Sequence, residues 1–306
     1  NFIYDQIVGF GELFSTKIVS NYLNENKVET NWIDVREYIK TDSNYRSASV
    51  NWELTSKNIV KLNTNKLYIT QGFLGSNSKE ITTTLGREGS DFSAAIFAHC
   101  LNAKSITIWK DVDGVLNADP RYFTTTNLLQ QISYSEAIEM AFYDASVIHP
   151  KTLKPLENKN NPLYVRLFYS LENKGTTVGK GHHLVPEIPC FILKQHQILI
   201  SISALDFSFM VENNLSELFQ ILHNYKLKVN LIQNSAISFS VCIEDQFNNF
   251  QHFLNEVKLK YNTSYVENVS LYTIRHANKI AVSEIEQKGK VLLKQATKGT
   301  VQVVMQ

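Results

Sequence analysis

The sequence predicts an α/β layer sandwich followed by a smaller unit of ferredoxin-like type, and three observations predict it. Through residue 181, short apolar runs alternate with stretches of helical periodicity, the order that builds a mostly parallel sheet with helices packed on it. Seven of the twelve glycines lie between Gly9 and Gly114, only Gly289 and Gly299 follow Gly181, and all six prolines fall between Pro120 and Pro189, so the turn chemistry changes partway along the chain. After Ile192 the order of patterns is βαββαβ.

Phe10, Leu13, Phe14, Ile18 and Tyr22 recur at helical spacing, and residues 30–35 then read as a strand. Residues 66–70 give a second strand, Phe92 to Leu101 an alanine-rich helix, and residues 105–109 a third strand. Another helix opens at Ser135, placed as its cap. A connector near 183–190, His-His-Leu-Val-Pro-Glu-Ile-Pro, sets the expected domains at 1–183 and 184–306. In the second, Ile192 to Ala204 is extended, Leu215, Leu218, Phe219 and Leu222 mark a helix, and Val229–Ile232 and Ile237–Ile243 are strands. Phe247, Phe250, Leu254 and Val257 mark a second helix, and Ser264 to Ile274 a further strand, completing a βαββαβ unit at about 190–275. Strands at 291–293 and 301–304 leave 276–306 as the remainder of a second unit begun elsewhere.

Composition narrows the function. Thirty basic and 29 acidic residues leave a formal charge of +1, which supplies no electrostatic footprint for nucleic acid or an anionic membrane. No apolar run approaches the roughly eighteen residues of a membrane span. Cys100, Cys190 and Cys242 are scattered and odd in number, which builds neither a disulfide framework nor a zinc spacing and fits a reducing cytoplasm. The opening Asn1-Phe2-Ile3 has no methionine, basic n-region or apolar h-region, so no targeting segment is visible in it.

Three clusters could carry chemistry. In Thr82 to Asp91, between a strand and a helix, Gly86 and Gly89 permit tight turns, and the following helix aims free N–H groups at whatever the loop encloses. Arg87 adds a fork suited to a carboxylate or phosphate, and Asp91 an acceptor for an ammonium or metal; alternatively Ser90 or Asp91 caps the helix and Arg87 is solvated. Ile108 to Arg121 places Lys110 and Asp111 at the carboxyl end of a strand, where open α/β sheets bind ligands, with Arg121 as a second cation after the Asp119-Pro120 turn; the bland alternative is a surface turn with a chance charge pair. Gly9 and Gly11 open a helix with Glu12 in its first turn, where the carboxylate complements the dipole or pairs with a substrate ammonium. His149, before Pro150, reads as a packed turn histidine, and no Gly-x-Gly-x-x-Gly follows a strand, which argues against a dinucleotide-binding dehydrogenase.

Taken together, Phe10-Gly11-Glu12-Leu13 with Ser15-Thr16, Trp32 to Arg36, Thr70 to Phe73, Thr82 to Asp91, Trp109 to Arg121 and Val147 to Pro150 form an ordered set over most of residues 8–181 that resembles aspartokinase. The second half resembles the paired ACT regulatory domains of the same enzymes. The resemblance implies the amino-acid kinase fold, with helices on both faces of its sheet, and ATP-dependent phosphorylation of the side-chain carboxylate of L-aspartate to 4-phospho-L-aspartate, the first step toward lysine, threonine and methionine. It implies that Glu12, Arg87, Ser90 and Asp91 hold aspartate. Lys110, Asp111, Leu116, Arg121, Ser146 and Val147 match positions that contact ATP, with Asp91 and Lys110 nearest the chemistry. Mg²⁺ is expected with the nucleotide, bound mainly through phosphate oxygens and not by a dedicated protein site. The same resemblance implies a cytoplasmic homodimer, or a higher homo-oligomer, with an amino-acid effector at the ACT domains.

Three departures from the family pattern matter. Many bacterial members carry Thr-Asp where Lys110-Asp111 stands and a lysine where Ser146 stands, so Lys110 is expected to supply the cation that Ser146 does not. Lysine-inhibited members carry acidic residues where Asn230 and Ala236 stand, which weakens the case for lysine as effector and leaves the effector open. Aspartokinases open with a Lys-Phe-Gly-Gly-Thr-Ser segment that these 306 residues do not match; the full product is expected to carry it, and a chain truly starting at Asn1 to be nearly inactive. If Gln306 is the natural end, no homoserine dehydrogenase domain follows. The competing readings are a kinase of glutamate or acetylglutamate, against which the Glu12 motif and the ACT-like tail speak, and a catalytically incomplete amino-acid-sensing subunit, against which the retained Arg87, Asp91, Lys110 and Arg121 speak.

Overall fold

The computed structural model describes residues 1–143, 148–206 and 208–306. The described residues form two units, one from Asn1–Val115, Leu128–Phe142 and 148–186, the other from Leu116–Asn127, Tyr143 and Glu187–Gln306.

In the first unit, α1 (Phe2–Glu25) leads to β1 (Asn31–Trp32), α2 (Val35–Tyr38) and α3 (Trp52–Ile59), then β2 (Tyr68–Ile69), β3 (Leu74–Ser76), β4 (Thr82–Thr84) and α4 (Gly89–Cys100). β5 (Ile106–Lys110), β6 (Gln131–Ser133), α5 (Tyr134–Phe142), α6 (Pro150–Lys159), β7 (Leu163–Leu167) and β8 (Thr176–Gly179) complete it. β1 pairs with β2 in parallel and β3 with β4 antiparallel. The remaining four strands form one sheet in the order β5-β7-β8-β6, whose outer pairings are parallel and whose central pairing is antiparallel. The sheets are therefore mixed, with parallel pairing in the majority. Val35, Ile39, Ile59, Leu74, Leu85 and Ile96 are fully buried and tie α2, α3 and α4 to the β3 hairpin.

Two local readings need correction. α1 starts at Phe2, so Gly9, Gly11 and Glu12 lie in mid-helix and Glu12 is not a first-turn carboxylate. The apolar stripe that marks this helix is its open face: Phe10, Phe14, Ile18 and Tyr22 are each more than half exposed, while Asp5, Gly9 and Ser20 are buried. α5 starts at Tyr134, and its first turn is capped by Ser133, whose Oγ accepts the Glu136 N–H (3.0 Å); Ser135 sits inside the helix and bonds the Ser133 hydroxyl (2.8 Å).

The second unit is one antiparallel sheet. β9 (Cys190–Ala204), α7 (Glu212–Asn224), β10 (Lys228–Asn234), β11 (Ser238–Glu244), α8 (Phe250–Val257) and β12 (Tyr261–Arg275) are followed by α9 (Lys279–Glu286), β13 (Val291–Thr297) and β14 (Thr300–Met305). The strand order is β10-β11-β9-β12-β14-β13. β9 and β12 are fifteen residues each and serve twice. Their Leu199–Ala204 and Tyr261–Val266 ends pair beside β11, while their Cys190–Lys194 and Leu271–Arg275 ends pair beside β14. At the change-over both strands turn through a left-handed residue, His196 (φ 56°) and Asn268 (φ 56°), whose side chains hydrogen-bond at 2.9 Å. Each half thus has the ferredoxin-like order 2-3-1-4, with β9 first and β12 fourth in one half and the roles exchanged in the other. Phe239, Phe253, Ile200, Leu218 and Val241 fill the core beneath α7 and α8, and Ile274, Ile285 and Val303 the smaller one beneath α9.

Asp5 anchors α1 to the first unit. Its fully buried carboxylate accepts the N–H of Arg46 (3.1 and 3.0 Å), the N–H of Thr84 (2.9 Å) and the Thr84 hydroxyl (3.1 Å). Removing it orphans the buried N–H of Thr84 and the part-buried one of Arg46, so Asp5→Ala should cost about 3 kcal/mol and Asp5→Asn less. Urea unfolding followed by tryptophan fluorescence checks this, because Trp32, Trp52 and Trp109 all belong to the first unit.

Candidate active site

The loop before α4 is shaped by backbone demands. Gly86 takes φ 84°, a left-handed value that suits glycine, and its carbonyl accepts the Gly89 N–H (3.1 Å), closing the turn Gly86-Arg87-Glu88-Gly89. α4 starts at Gly89 with Glu88 as its N-cap, and no side chain caps it. Ser90 and Asp91 are therefore not consumed in capping, and the helix directs its free N–H groups and positive dipole end toward this loop. Ser90 is exposed, as is Arg87, whose guanidinium makes no ion pair among the described residues.

Behind the loop, Gly72 presses against the helix start: a Cβ there would lie 2.7 Å from both Cβ and Oγ of Ser90. Next to it Phe73 (φ 67°) donates its N–H to Ser93 Oγ (2.9 Å), while its carbonyl accepts the Leu85 N–H (2.9 Å). Gln71, buried to 1%, accepts the Val35 N–H at Oε1 (2.8 Å) and donates from Nε2 to Thr16 Oγ1 (2.9 Å). Thr16 also accepts from the Trp32 indole (3.1 Å) and donates to the carbonyl of Glu12 (2.7 Å). A continuous path thus leads from Glu12 through Thr16, Gln71 and Gly72 to Ser90. The Glu12 carboxylate itself is half-buried and pairs with no described cation.

Asp91 and Lys110 meet. Lys110 ends β5, and its Nζ stands 3.1 Å from Asp91 Oδ2, with side chains 23% and 17% exposed. Asp91 Oδ2 has no directional hydrogen bond, so the contact is a charge pairing across the gap between α4 and β5. Asp111 follows at the surface, without a partner among the described residues. Leu116 and Arg121 belong to the second unit; Arg121 forks onto Asp119 (3.0 and 2.6 Å) and holds that carboxyl below its usual range, so it is not an unpaired cation. Ser146 and Val147 lie outside the described residues.

Sequence reasoning missed one tether. His149 caps α6 through Nδ1, which accepts the Lys151 N–H (3.1 Å), and its own N–H donates to Glu88 Oε2 (2.7 Å). Glu88 takes φ 51°, left-handed for a residue with a side chain, and that bond fastens the loop before α4 to the start of α6. Only the His-Pro pair, which forecasts a helix start, hinted at this in the sequence.

The family model of the amino acid kinase family matches residues 2–166, more than half of the 306. The chain belongs to the amino acid kinase family. It is 35% identical over 234 residues to the lysine-sensitive aspartokinase 3 of Escherichia coli, covering 74% of this chain and 51% of that one. It is 39% identical over 180 residues to a chloroplastic bifunctional aspartokinase/homoserine dehydrogenase 2 of Arabidopsis thaliana, covering 57% and 19%. The crystal structure of E. coli aspartokinase III with aspartate and ADP superposes with a TM-score of 0.79 at 27% identity, covering 98% of this chain and 72% of that one. This amino acid kinase thus spans about half the length of its E. coli relative and about a fifth of the plant one. The likeness covers both units, and the second has the doubled ferredoxin-like sheet of an ACT-type fold.

Burial pushes the His149 imidazole below its ordinary range, with Glu88 opposing and Lys151 and Arg87 adding to the fall. A histidine held neutral in the fold contributes stability that is complete above its unfolded pKa of about 6.5 and lost as pH falls from there toward the lower folded value. Tryptophan-detected unfolding should show this loss setting in as pH falls through about 6.5. His149→Asn, a cap that does not titrate there, should flatten it; an unchanged profile would remove His149 from the account.

Proposed function

We propose that this chain acts as an aspartokinase, transferring the γ-phosphoryl group of ATP to the side-chain carboxylate of L-aspartate. The observation that carries the reading is the Asp91–Lys110 pair at the start of α4, in a chain 35% identical to an aspartokinase across that segment's surroundings. Arg87, exposed and unpaired, takes a substrate carboxylate, and Glu12 and Asp91 receive the ammonium, with Ser90 beside them. Lys110 turns its charge to the nucleotide phosphates once aspartate competes for Asp91. Asp111, Leu116, Arg121, Ser146 and Val147 complete the nucleotide side of this proposal.

The substrate carboxylate is ionised at neutral pH and needs no general base. One of its oxygens bonds to the γ-phosphorus as the bond from that phosphorus to the β–γ bridging oxygen breaks, giving 4-phospho-L-aspartate and ADP. Catalysis is then positioning and charge neutralisation by Lys110, Arg87 and the N–H groups of α4. In this proposal Mg²⁺ comes with ATP and is held mainly by its phosphate oxygens.

The second unit is read as regulatory, with two ACT-type halves, an amino-acid effector and assembly as a homodimer at least. Asn230 donates to Gln197 (2.6 Å) and accepts from Lys194 (2.7 Å), so its side chain is already engaged; this speaks against an effector ammonium at that position. The setting is read as cytoplasmic: the three cysteines are buried and free, with burial pushing Cys242 up to about 12, where the thiol stays protonated. No helix among the described residues is long and apolar enough to cross a membrane.

The deciding assay is ATP-dependent aspartyl-hydroxamate formation, compared with L-glutamate. Aspartate should be strongly preferred; equal use of glutamate, or none of aspartate, contradicts the reading. Arg87→Ala should raise the KM for aspartate by at least about tenfold with little change for ATP. Lys110→Ala should lower kcat by about a hundredfold and weaken ATP, whereas normal ATP affinity and turnover in that variant would reject the role given to Lys110.

A further inference from the structure

A cavity of the first unit, of about 400 Å³, lies between α3, α4 and α6, lined by none of the candidate active-site residues. Its wall is aromatic. Trp52 is 39% exposed and meets the rings of His99 (5.2 Å) and Phe92 (6.4 Å) edge to face. His99 is pinned by Nδ1, which donates to the carbonyl of Pro155 (2.8 Å), so the wall is fixed in place before any ligand arrives.

The rim is basic. Lys151 and Lys154 stand one turn apart on α6 and line the same groove, and neither has a carboxylate partner among the described residues; Lys151 reaches only Ser47 Oγ, at 3.4 Å. Lys151 also sits in the first turn of α6, which holds no acidic residue, so its charge opposes the helix dipole. An anion between the two ammonium groups relieves both strains. An apolar ring wall with a few convergent polar groups is the make-up of a small-molecule site, and the volume suits a ligand of one or two rings.

We propose that this groove binds a small aromatic carboxylate, its ring on Trp52, Phe92 and Pro155 and its carboxylate between Lys151 and Lys154. Isothermal titration of the whole chain with phenylacetate and with uncharged phenylacetamide tests it. Phenylacetate should bind, and phenylacetamide about fivefold more weakly or worse, the ratio expected of two half-solvated charge contacts. A Lys151→Gln/Lys154→Gln variant, altered only on an exposed helix face and checked for an unchanged unfolding temperature, should lose the same factor. Arg87→Gln should bind phenylacetate as the parent does. The proposal is overturned if millimolar phenylacetate gives no heat, if acid and amide bind alike, if the double variant keeps parental affinity, or if Arg87→Gln is the change that abolishes binding.

Discussion

The arrangement of the first unit depends on the close approach of Gly72 to Ser90. No side chain fits between the backbone at 72 and the first turn of α4, where an added Cβ would sit 2.7 Å from Ser90 and 2.8 Å from its Cα. Phe73 then grips both sides of the opening, α4 through Ser93 and the strand before it through Leu85. With its start held in this way, α4 presents Asp91 to Lys110 without spending Ser90 or Asp91 on its own capping. The positive end of the helix and the free fork of Arg87 stand at this start, and Asp91 holds the Lys110 ammonium beside it, on a chain whose total charge is only +1.

Much of this was legible in the sequence, because the glycine loop, the strand ending in Trp109-Lys110 and the alanine-rich helix are local patterns. The alternation of strands and helices and the βαββαβ order are local as well. What stayed hidden depends on distant partners. Asp5 belongs to none of the motifs, yet it is fully buried because Arg46 and Thr84 bring N–H groups to it from 41 and 79 residues away. Gln71 is visible only as part of a motif, and its task of joining α1 to α2 follows from contacts 36 and 55 residues away. The stripe from Phe10 to Tyr22 marked a helix but neither its start at Phe2 nor its buried face, since periodicity shows that a helix has two faces without showing which is covered. The pattern puts the cap of α5 at Ser135 and the structure at Ser133, because helix boundaries are the least determined feature of a pattern.

In the second unit the strand patterns were found, but not the double use of β9 and β12. A fifteen-residue strand looks the same in sequence whether it serves one sheet partner or two, and the residues that mark the change-over, His196 and Asn268, carry no turn signature. α9 escaped notice because eight residues give little periodicity, although Asn278 caps it by accepting the Ala281 N–H at 2.8 Å. Sharing two strands makes the halves mechanically continuous, so a ligand that shifts one half acts directly on the pairing of the other.

Equilibrium binding of L-aspartate to a Gly72→Ala variant tests the central claim most directly. If the fit at Gly72 holds the start of α4 in register with Lys110, one added methyl group should weaken aspartate binding at least about tenfold and lower the unfolding temperature of the tryptophan-bearing unit. Parental affinity and stability in that variant would contradict the account, since the turn would then have room to spare and the geometry around Asp91 would be set elsewhere.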